Sequence, residues 1–333
     1  MRVTLHPDGF EFSVSAEETL LDAARRAGVE LPHACRGGRC GLCAAGLLSG
    51  EVRYPEGLPP AAELRAIAPS DVLLCRAHAV SDLELDVRPV RGAGIPRVQR
   101  LPARVMSVER LGAELAKVWL RLPRAEPFVF RAGQYLDIVL ADGARRSYSI
   151  ASPPHDRELI ELHLRRGTPG GRGAALFDQL APRTLLEIEG PRGDFGYTEP
   201  AAADAARPLL LIAGGTGFAP VKSILRHVLD GGSTRPLQLY WGARARADLY
   251  DHAWLQDAAA HHANLRYVPV LSEDAAPPAG FRSGLIDSAV VSDHHELSGV
   301  DVYAAGPPPM LGAVRAALTE RGLPAARFFC DQP

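Results

Sequence analysis

The sequence has few lysines, no long hydrophobic run and no excess of either charge. The longest apolar stretch near the middle of the chain, Leu209–Ala213, is far shorter than the roughly 20 residues that a membrane-spanning helix needs. The first residues also lack the apolar core of about 7 to 15 residues found in a secretory signal. A net charge of -2 gives no basic excess to attract nucleic acid or anionic lipid. We therefore expect a cytoplasmic protein that neither enters a membrane nor binds nucleic acid.

The length of 333 residues and the hydrophobic fraction of 47% are typical of a globular protein with about two domains, or three small ones. Among the 37 lysines and arginines, only Lys117 and Lys222 are lysine. We attribute that scarcity to a bias in composition. Changes in pattern predict a first domain, a linker, a second domain and a third domain at residues 1–90, 91–98, 99–203 and 204–333.

The five cysteines are an odd number in a chain without an export signal, which argues against a disulfide framework. Four of them, spaced C-x4-C-x2-C…C as in plant-type [2Fe-2S] sites, are Cys35, Cys40, Cys43 and Cys75. A structural zinc site more naturally has two C-x2-C pairs, and this chain has one. Gly37, Gly38 and Gly41 permit the positive φ that a tightly curved ligand loop requires. We predict a [2Fe-2S] cluster on the four cysteines, with zinc or uncoordinated thiols as the alternatives, and a buried structural position for Cys330.

The first block has the pattern of a small α+β domain. Alternating apolar residues predict a hairpin over residues 3–14 that turns at Pro7-Asp8-Gly9. Ser15 and Glu18 have the spacing of a capping box, which predicts a helix that starts there and ends at Gly28. Its apolar face consists of Leu20, Ala23, Ala24 and Ala27. Together with the cysteine loop, these elements resemble the β-grasp fold of plant-type ferredoxins.

The second block alternates with a period of two. Val118, Leu120 and Leu122 face one way, while Lys117 and Trp119 face the other. Several such strands separated by turns predict an antiparallel six-stranded β-barrel.

In the third block strands and helices alternate. The apolar run Pro208–Ala213 leads into Gly214-Gly215-Thr216-Gly217, and apolar residues then recur at helical spacing. Later apolar runs at residues 237–241, 265–271 and 300–304 are separated by helical stretches. This order predicts a doubly wound parallel sheet, and a glycine turn between a strand and a helix is a pyrophosphate site for a dinucleotide.

Three motifs of the second block resemble the flavin-binding domain of the ferredoxin-NADP reductase family. Arg146-Ser147-Tyr148-Ser149-Ile150-Ala151-Ser152 is similar to the RxYSxxS stretch of that family, and alternation places Arg146, Tyr148 and Ile150 on one face. Pro169–Gly173, before a short helix, and the turn Gly190–Phe195 follow in the same order. Taken singly, these segments are equally compatible with a surface strand and tight loops.

The resemblance implies an FAD site. Arg146 would bind the pyrophosphate, Tyr148 would pack on the flavin and Ser149 would lie near flavin N5, which makes Tyr148 and Ser149 the catalytic candidates. The further FAD-binding residues implied are His163, Arg165, Gly170, Gly171, Arg172, Gly173 and Ala174. The family often has serine or threonine at Ala174, so a side-chain phosphate contact is missing here.

The same resemblance implies a nicotinamide dinucleotide site on Gly214, Gly215, Thr216, Gly217, Pro220, Arg244, Gly306 and Pro307. Tyr303–Met310 looks like the strand end beside the nicotinamide, with Ala305 where relatives usually carry cysteine. Arg244 and Arg246 are available to a 2'-phosphate and Asp248 to a ribose diol, so both NADH and NADPH are compatible. The YWGxR form favours NADH.

Along its whole length the chain resembles the CDP-6-deoxy-glucoseen reductase group and, more distantly, the reductase components of aromatic-ring and diiron oxygenases. Phe328–Asp331 is similar to the aromatic tail of that group, whose rings approach the flavin; an ordinary final strand is the alternative. A nicotinamide donates two electrons as hydride and an iron-sulfur cluster accepts one at a time, so flavin stands between them. We expect an NAD(P)H-dependent oxidoreductase that passes electrons through FAD and the cluster to a dehydrase or oxygenase component. A non-catalytic iron-sulfur carrier or redox sensor is the alternative.

Overall fold

The computed structural model of the chain divides into two compact units, Met1–Ile95 and Pro96–Gln332. The structure describes residues 1–7, 9–27, 29, 31–33, 38, 41, 43–59, 61, 68–87, 98–123, 128–156, 158–200 and 204–331. The predicted linker at residues 91–98 lies outside this part of the chain except for its last residue. No helix among the described residues is long and apolar enough to cross a membrane.

The first unit contains a five-stranded sheet and a two-stranded sheet. Its strands are β1 Arg2–His6, β2 Phe10–Ser13, β3 Ala44–Ser49, β4 Val52–Arg53, β5 Asp71–Leu73, β6 His78–Ala79 and β7 Leu83–Asp86. The larger sheet has the order β2-β1-β7-β3-β5, with β1 parallel to β7, and β4 pairs with β6. The predicted hairpin is confirmed, because Val3 pairs with Phe12 in the antiparallel β1–β2 ladder.

The first helix described in this unit, α1, spans Leu20–Arg26 and begins later than predicted. Thr19 is its N-cap, because the Thr19 hydroxyl accepts the amide N–H of Asp22 at 3.1 Å. The backbone bond expected from the capping box does form, from the Ser15 amide to Glu18 at 2.9 Å, but it lies before the helix. Thr19 takes the capping position because it directly precedes Leu20, the first residue of the buried helix face. The predicted end at Gly28 lies outside the described residues.

The second unit begins with six antiparallel strands and a short helix. These are β8 Gln99–Arg110, β9 Leu115–Arg121, β10 Tyr135–Val139, β11 Arg145–Ser149, β12 Ile160–Arg165, α2 Arg172–Gln179 and β13 Leu185–Arg192. The strand order is β11-β10-β13-β8-β9-β12, and a bridge between Ile150 and Leu162 brings the two edges together. The predicted six-stranded antiparallel barrel is therefore confirmed as a nearly closed sheet. The face that carries Lys117 is also covered, since Lys117 is 8% exposed.

The rest of the second unit is a six-stranded sheet in which every pair is parallel. Its elements are β14 Leu209–Gly214, α3 Phe218–Asp230, β15 Leu237–Ala243, α4 His252–His261, β16 Leu265–Leu271, β17 Arg282–Ser283, α5 Ile286–Asp293, β18 Asp301–Ala305, α6 Pro308–Glu320 and β19 Phe328–Asp331. The order β17-β16-β15-β14-β18-β19 reverses direction at β14. Leu211 packs in the core on one face of β14 and Ile212 in the core on the other, so the predicted doubly wound sheet is confirmed. Ligands of such sheets bind where the strand order reverses, beyond the carboxyl end of β14.

We expect Leu211→Ala to destabilise the second unit by about 3 kcal/mol, because Leu211 is 0% exposed at the centre of the sheet. Urea unfolding followed by tryptophan fluorescence measures this unit selectively, since Trp119, Trp241 and Trp254 all lie in it. The matched control is Leu185→Ala, because Leu185 is 70% exposed and its truncation should change stability by less than about 0.5 kcal/mol. Equal effects of the two substitutions would contradict the assigned core.

Candidate functional site

Two of the four predicted cluster ligands meet in the first unit. Cys43 immediately precedes β3 and Cys75 follows β5, and the antiparallel pairing of these strands brings the two cysteines together. Their Sγ atoms are 3.2 Å apart, and the residues are 2% and 5% exposed. Two sulfurs converging in a buried site fit ligands of one metal centre. Cys35 and Cys40 lie outside the described residues, so their place in the ligand set remains a prediction.

The surroundings of the two sulfurs suit a curved ligand loop. Gly38 and Gly41 have φ values of 72° and 74°, which confirms the positive φ predicted for them; Gly37 lies outside the described residues. The Tyr54 hydroxyl accepts the Leu73 amide N–H at 3.0 Å. Burial raises the pKa of Tyr54, and the charges of the two cysteine sulfurs raise it further. A protonated phenol therefore lies beside the sulfurs and adds no negative charge to them.

The β11 motif lies on an edge strand of the barrel. Arg146 pairs with Ile138 and Tyr148 pairs with Leu136 across the β10–β11 ladder. Since Ile138 and Leu136 both face the barrel core, the register confirms that Arg146 and Tyr148 share one face. Arg146 is exposed, and Tyr148 is half-buried against that core. An exposed guanidinium beside a partly accessible ring fits a ligand that carries a diphosphate and a flat ring system.

Ser149 lies on the opposite face of β11 and has a partner that the sequence did not predict. Its hydroxyl donates to the carboxylate of Asp331 at 3.4 Å. Burial raises the pKa of Asp331 to about 6, although the hydrogen bond from Ser149 opposes that shift. The carboxyl group therefore exchanges its proton close to neutral pH. No local pattern could have identified this pair, because 182 residues separate its members.

The structure places His163 away from any ligand-facing surface. Its side chain is 0% exposed, and its ring lies between the Tyr250 hydroxyl, 2.8 Å from Nδ1, and Glu161 Oε1, 2.9 Å from Nε2. Burial lowers the pKa of His163, so the neutral ring donates from Nε2 to Glu161 and accepts from Tyr250 at Nδ1. Both ring nitrogens are thus occupied within the protein, and an FAD contact from His163 would have to use its backbone.

Arg165 and the α2 loop are arranged differently from His163. Arg165 is exposed, and its Nη2 atom lies 3.9 Å from the position that a Cβ on Gly215 would take. Gly171 is the N-cap of α2 without a side-chain cap, which leaves amide N–H groups available for an anion. Arg172 instead bonds Asp142 at 2.7 Å. The remaining predicted residues here are Gly170, which has open space around it, half-buried Gly173 and buried Ala174.

The glycine turn after β14 is tightly packed against the end of β18. A Cβ on Gly217 would overlap the Ala305 carbonyl group, and a Cβ on Gly214 would overlap the Met310 side chain and lie 3.0 Å from Pro307. Gly306 lies just as close to Gly214, since its Cβ would be 3.1 Å from the Gly214 amide nitrogen. The turn is thus a cradle of bare backbone at the switch point of the sheet, which fits a dinucleotide pyrophosphate. Its other predicted members are half-buried Thr216 and Pro220, which is buried in the first turn of α3.

The end of β15 carries the residues proposed to choose between the two nicotinamide cofactors. Arg244 and Arg246 are exposed, and Arg246 lies over the Phe281 ring at 5.5 Å. The Asp248 carboxylate accepts the Ala245 amide N–H at 3.2 Å, so it closes its own turn. The tail Phe328–Asp331 forms the regular edge strand β19, in which the Phe329 ring stacks on Tyr303 at 4.6 Å.

Three family models match successive parts of the chain. They describe a 2Fe-2S iron-sulfur cluster binding domain at residues 3–80, an oxidoreductase FAD-binding domain at residues 102–197 and an oxidoreductase NAD-binding domain at residues 211–316.

Individual proteins are similar over nearly the entire chain. The CDP-6-deoxy-L-threo-D-glycero-4-hexulose-3-dehydrase reductase of Yersinia pestis is 36% identical, over 99% of this chain and 98% of the relative. Reductase component 1 of terephthalate 1,2-dioxygenase from Comamonas is 35% identical, over 99% of this chain and 96% of the relative. Among solved structures, the cytochrome P450 reductase GcoB of Amycolatopsis matches with a TM-score of 0.78 and 36% identity, over 99% and 98% of the two chains.

We expect Gly217→Ala to destabilise the second unit by about 2 kcal/mol, because the added methyl group meets backbone atoms that cannot rotate away. Gly312→Ala is the control. Gly312 lies inside α6 with open space at its Cβ position, so alanine there should stabilise the unit by about 0.5 to 1 kcal/mol. Urea unfolding measures both changes, and a neutral Gly217→Ala variant would argue against the close packing.

We expect Asp331→Asn to change how stability depends on pH. The folded state holds the Asp331 proton up to about pH 6, whereas the unfolded chain releases it near the ordinary value of 3.8, so stability falls as pH rises through this window. Asparagine removes the loss, and the melting temperature of the variant relative to wild type should rise from pH 4 to pH 6 and then stay constant.

We expect the opposite dependence of stability on pH for Asp142→Asn. The Ala144 amide and then Arg172 lower the pKa of Asp142, so its variant should be less stable than wild type at neutral pH and converge with it in acid. A flat difference between Asp331→Asn and wild type across the window would show that Asp331 titrates normally.

Proposed function

Because the chain belongs to the family of iron-sulfur flavoprotein reductases with [2Fe-2S], FAD-binding and NAD-binding domains, we propose that it carries electrons from NADH to a separate acceptor protein in the cytoplasm. It is an NAD(P)H-dependent oxidoreductase whose cofactors are FAD and a [2Fe-2S] cluster. The proposed domain limits are the four ranges given above. The described strands support the linker, since β7 ends at Asp86 and β8 begins at Gln99.

The observation that carries the proposal is the contact between the glycine turn and the barrel. Arg165 at the end of β12 reaches toward Gly215, so the dinucleotide cradle adjoins the barrel that bears the β11 motif. When bound, a flavin accepts a hydride and passes its electrons on singly, which links a two-electron donor to a one-electron acceptor. A non-catalytic carrier would have no need to hold these two half-sites against each other.

The residues of the barrel have separate tasks in this proposal. Arg146 and the N-terminal amides of α2 bind the diphosphate of FAD, and Tyr148 packs against its ring. Ser149 provides a hydroxyl that donates to the Asp331 carboxylate. With a pKa of about 6, the Asp331 carboxyl group is suited to exchange a proton close to neutral pH.

In this proposal the glycine turn binds the electron donor, and the cysteines bind the cluster from which electrons leave. Gly214–Gly217, Gly306 and Pro307 bind the nicotinamide dinucleotide, and Arg244 lies near its adenosine ribose. Cys43 and Cys75, with Cys35 and Cys40, bind the cluster. The acceptor is a partner protein that docks transiently on the reductase.

For the acceptor we propose the dehydrase of a CDP-6-deoxyhexulose, as the name of the Yersinia relative indicates. An oxygenase component is the second candidate, favoured by the Comamonas relative of nearly equal identity. Electron delivery from the purified reductase to each acceptor, measured as NADH-dependent product formation, distinguishes them.

We expect Cys75→Ser to abolish cluster assembly and cytochrome c reduction while leaving NADH-to-ferricyanide activity within about twofold of wild type, because ferricyanide accepts electrons directly from flavin. The measurements are iron, sulfide and flavin content, the visible spectrum and both reductase assays. Cys330→Ser is the matched control and should retain the cluster, because Cys330 lies in β19 of the other unit.

Two outcomes would contradict the proposal. Loss of both activities in folded, FAD-loaded Cys75→Ser would show that the relay order is wrong. Failure of NADH to bleach the flavin band of the wild-type protein would favour the non-catalytic carrier.

A further inference from the structure

The only two lysines of the chain lie together at the buried boundary between the barrel and the parallel sheet. Lys222 is 7% exposed, and its Nζ donates to Glu161 Oε1 at 2.8 Å and to Asp251 Oδ2 at 2.9 Å. Lys117 is 8% exposed and donates to the second oxygen of the same carboxylate, Asp251 Oδ1. We call these four residues the lysine–carboxylate cluster. Lys117 and Glu161 come from the barrel, and Lys222 and Asp251 from the sheet half.

The charges of this cluster balance. Burial raises the pKa of Glu161, but the hydrogen bond from His163 and the charge of Lys222 outweigh that effect and lower it to about 2. Within the buried cluster two ammonium groups therefore face two carboxylates, and the neighbouring His163 is neutral. A third carboxylate, Glu109, is 51% exposed and lies 3.8 Å from Lys117 Nζ at the edge of the cluster. Glu161, His163 and Asp251 are close enough together to hold a metal ion. The two ammonium groups already occupy those carboxylates, so a cation site is not the better interpretation.

The cluster lies directly behind the glycine turn. Trp241 Nε1 donates to the Gly215 carbonyl oxygen at 3.0 Å, and the Phe218 ring stacks on Trp241 at 4.0 Å. The His163 ring stacks on the other side of the series, against Phe218, with the two ring centres 6.3 Å apart. Because Lys222 lies one turn further along the same helix α3 as Phe218, the charge contacts and the ring contacts hold the same helix start.

Composition bias does not account for these two positions. All the other 35 of the 37 lysines and arginines are arginine, including Arg235, which is 3% exposed, whereas these two buried positions carry lysine. An ammonium group directs three N–H donors from one point and reaches Glu161 and Asp251 together. A guanidinium is a wider planar fork whose donors lie in one plane, so arginine at Lys222 would separate the carboxylates.

We propose that Lys117 and Lys222 are positioning residues which, joined through Asp251, hold the glycine turn of the nicotinamide half at a fixed distance from the flavin-binding barrel. The inference rests on the proposed function, since it assigns the cluster a part in hydride transfer. None of its four side chains is among the residues assigned to the two cofactor sites. It acts through α3 and the rings packed behind Gly215.

The test compares full-length holoenzyme carrying Lys222→Arg with wild type. We expect unchanged FAD and iron content, a limiting rate of flavin reduction by NADH that is lower by about tenfold or more, and an unchanged rate of chemical reduction by dithionite. Independently of activity, amide hydrogen exchange at residues 214–218 should be faster by about fivefold.

The matched control is Asp156→Asn. Asp156 of the barrel faces Arg226 of α3 at 3.6 Å, so it also joins the two halves through α3, but its carboxylate and the Arg226 side chain are 36% and 29% exposed and thus far less buried than the cluster. Its removal should change both measurements by less than about twofold.

A second variant covers the case in which Lys222→Arg does not fold. Lys117→Arg alters the same carboxylate from the barrel side and should give the same two changes. Since both lysines act through Asp251, the double variant should be no worse than the poorer single variant by more than about twofold.

The outcomes separate the inference from the proposed function. Wild-type rates and wild-type exchange in Lys222→Arg and Lys117→Arg would overturn the inference, and so would fully multiplicative losses in the double variant. Lack of flavin reduction by NADH in wild type would instead overturn the proposed function, while the exchange measurement would still test the lysine–carboxylate cluster.

Discussion

The close backbone contact between the ends of β14 and β18 is the constraint on which the second unit depends. Side chains are absent at Gly214, Gly217 and Gly306 because neighbouring backbone and Met310 fill the space. The parallel pairing of β14 with β18 aligns the two strand ends, and the missing side chains let the loops that follow them touch. The geometry of the nucleotide cradle therefore follows from sheet packing rather than from the loop alone.

Local patterns predicted most of the fold, because the alternation of a strand and the spacing of a helix are both visible among neighbouring residues. The alternation around Val118 and the helical spacing after Gly217 each depend on burial of one face, and the structure confirms both. The predicted start of α1 at Ser15 is wrong. Ser15 and Thr19 are both residues that cap helices, and the burial of Leu20 in the core decides between them. The cysteine spacing was informative for a similar reason: three of its four members lie within nine residues.

The parts of the site that the sequence did not predict are all contacts between distant segments. Ser149 and Asp331 meet only because β19 is added beside β18, and Lys117 meets Asp251 only because barrel and sheet pack together. The family resemblance implies a cofactor contact from His163, but its ring contacts Tyr250 and Glu161 inside the protein. The composition shows that lysine is scarce. It does not show that the only two lysines lie together, because that contact forms between distant segments.

The edge position of β19 has a consequence for local stability. Only four residue pairs join this strand to β18, and the described sheet has no strand on its other side. Such an edge frays at a free energy well below that of global unfolding. Each fraying event would withdraw the Asp331 carboxyl from the Ser149 hydroxyl while leaving the barrel intact. Heat or dilute denaturant would thus separate Asp331 from Ser149 before the protein unfolds. Loss of this hydrogen bond and loss of the fold are therefore separate events.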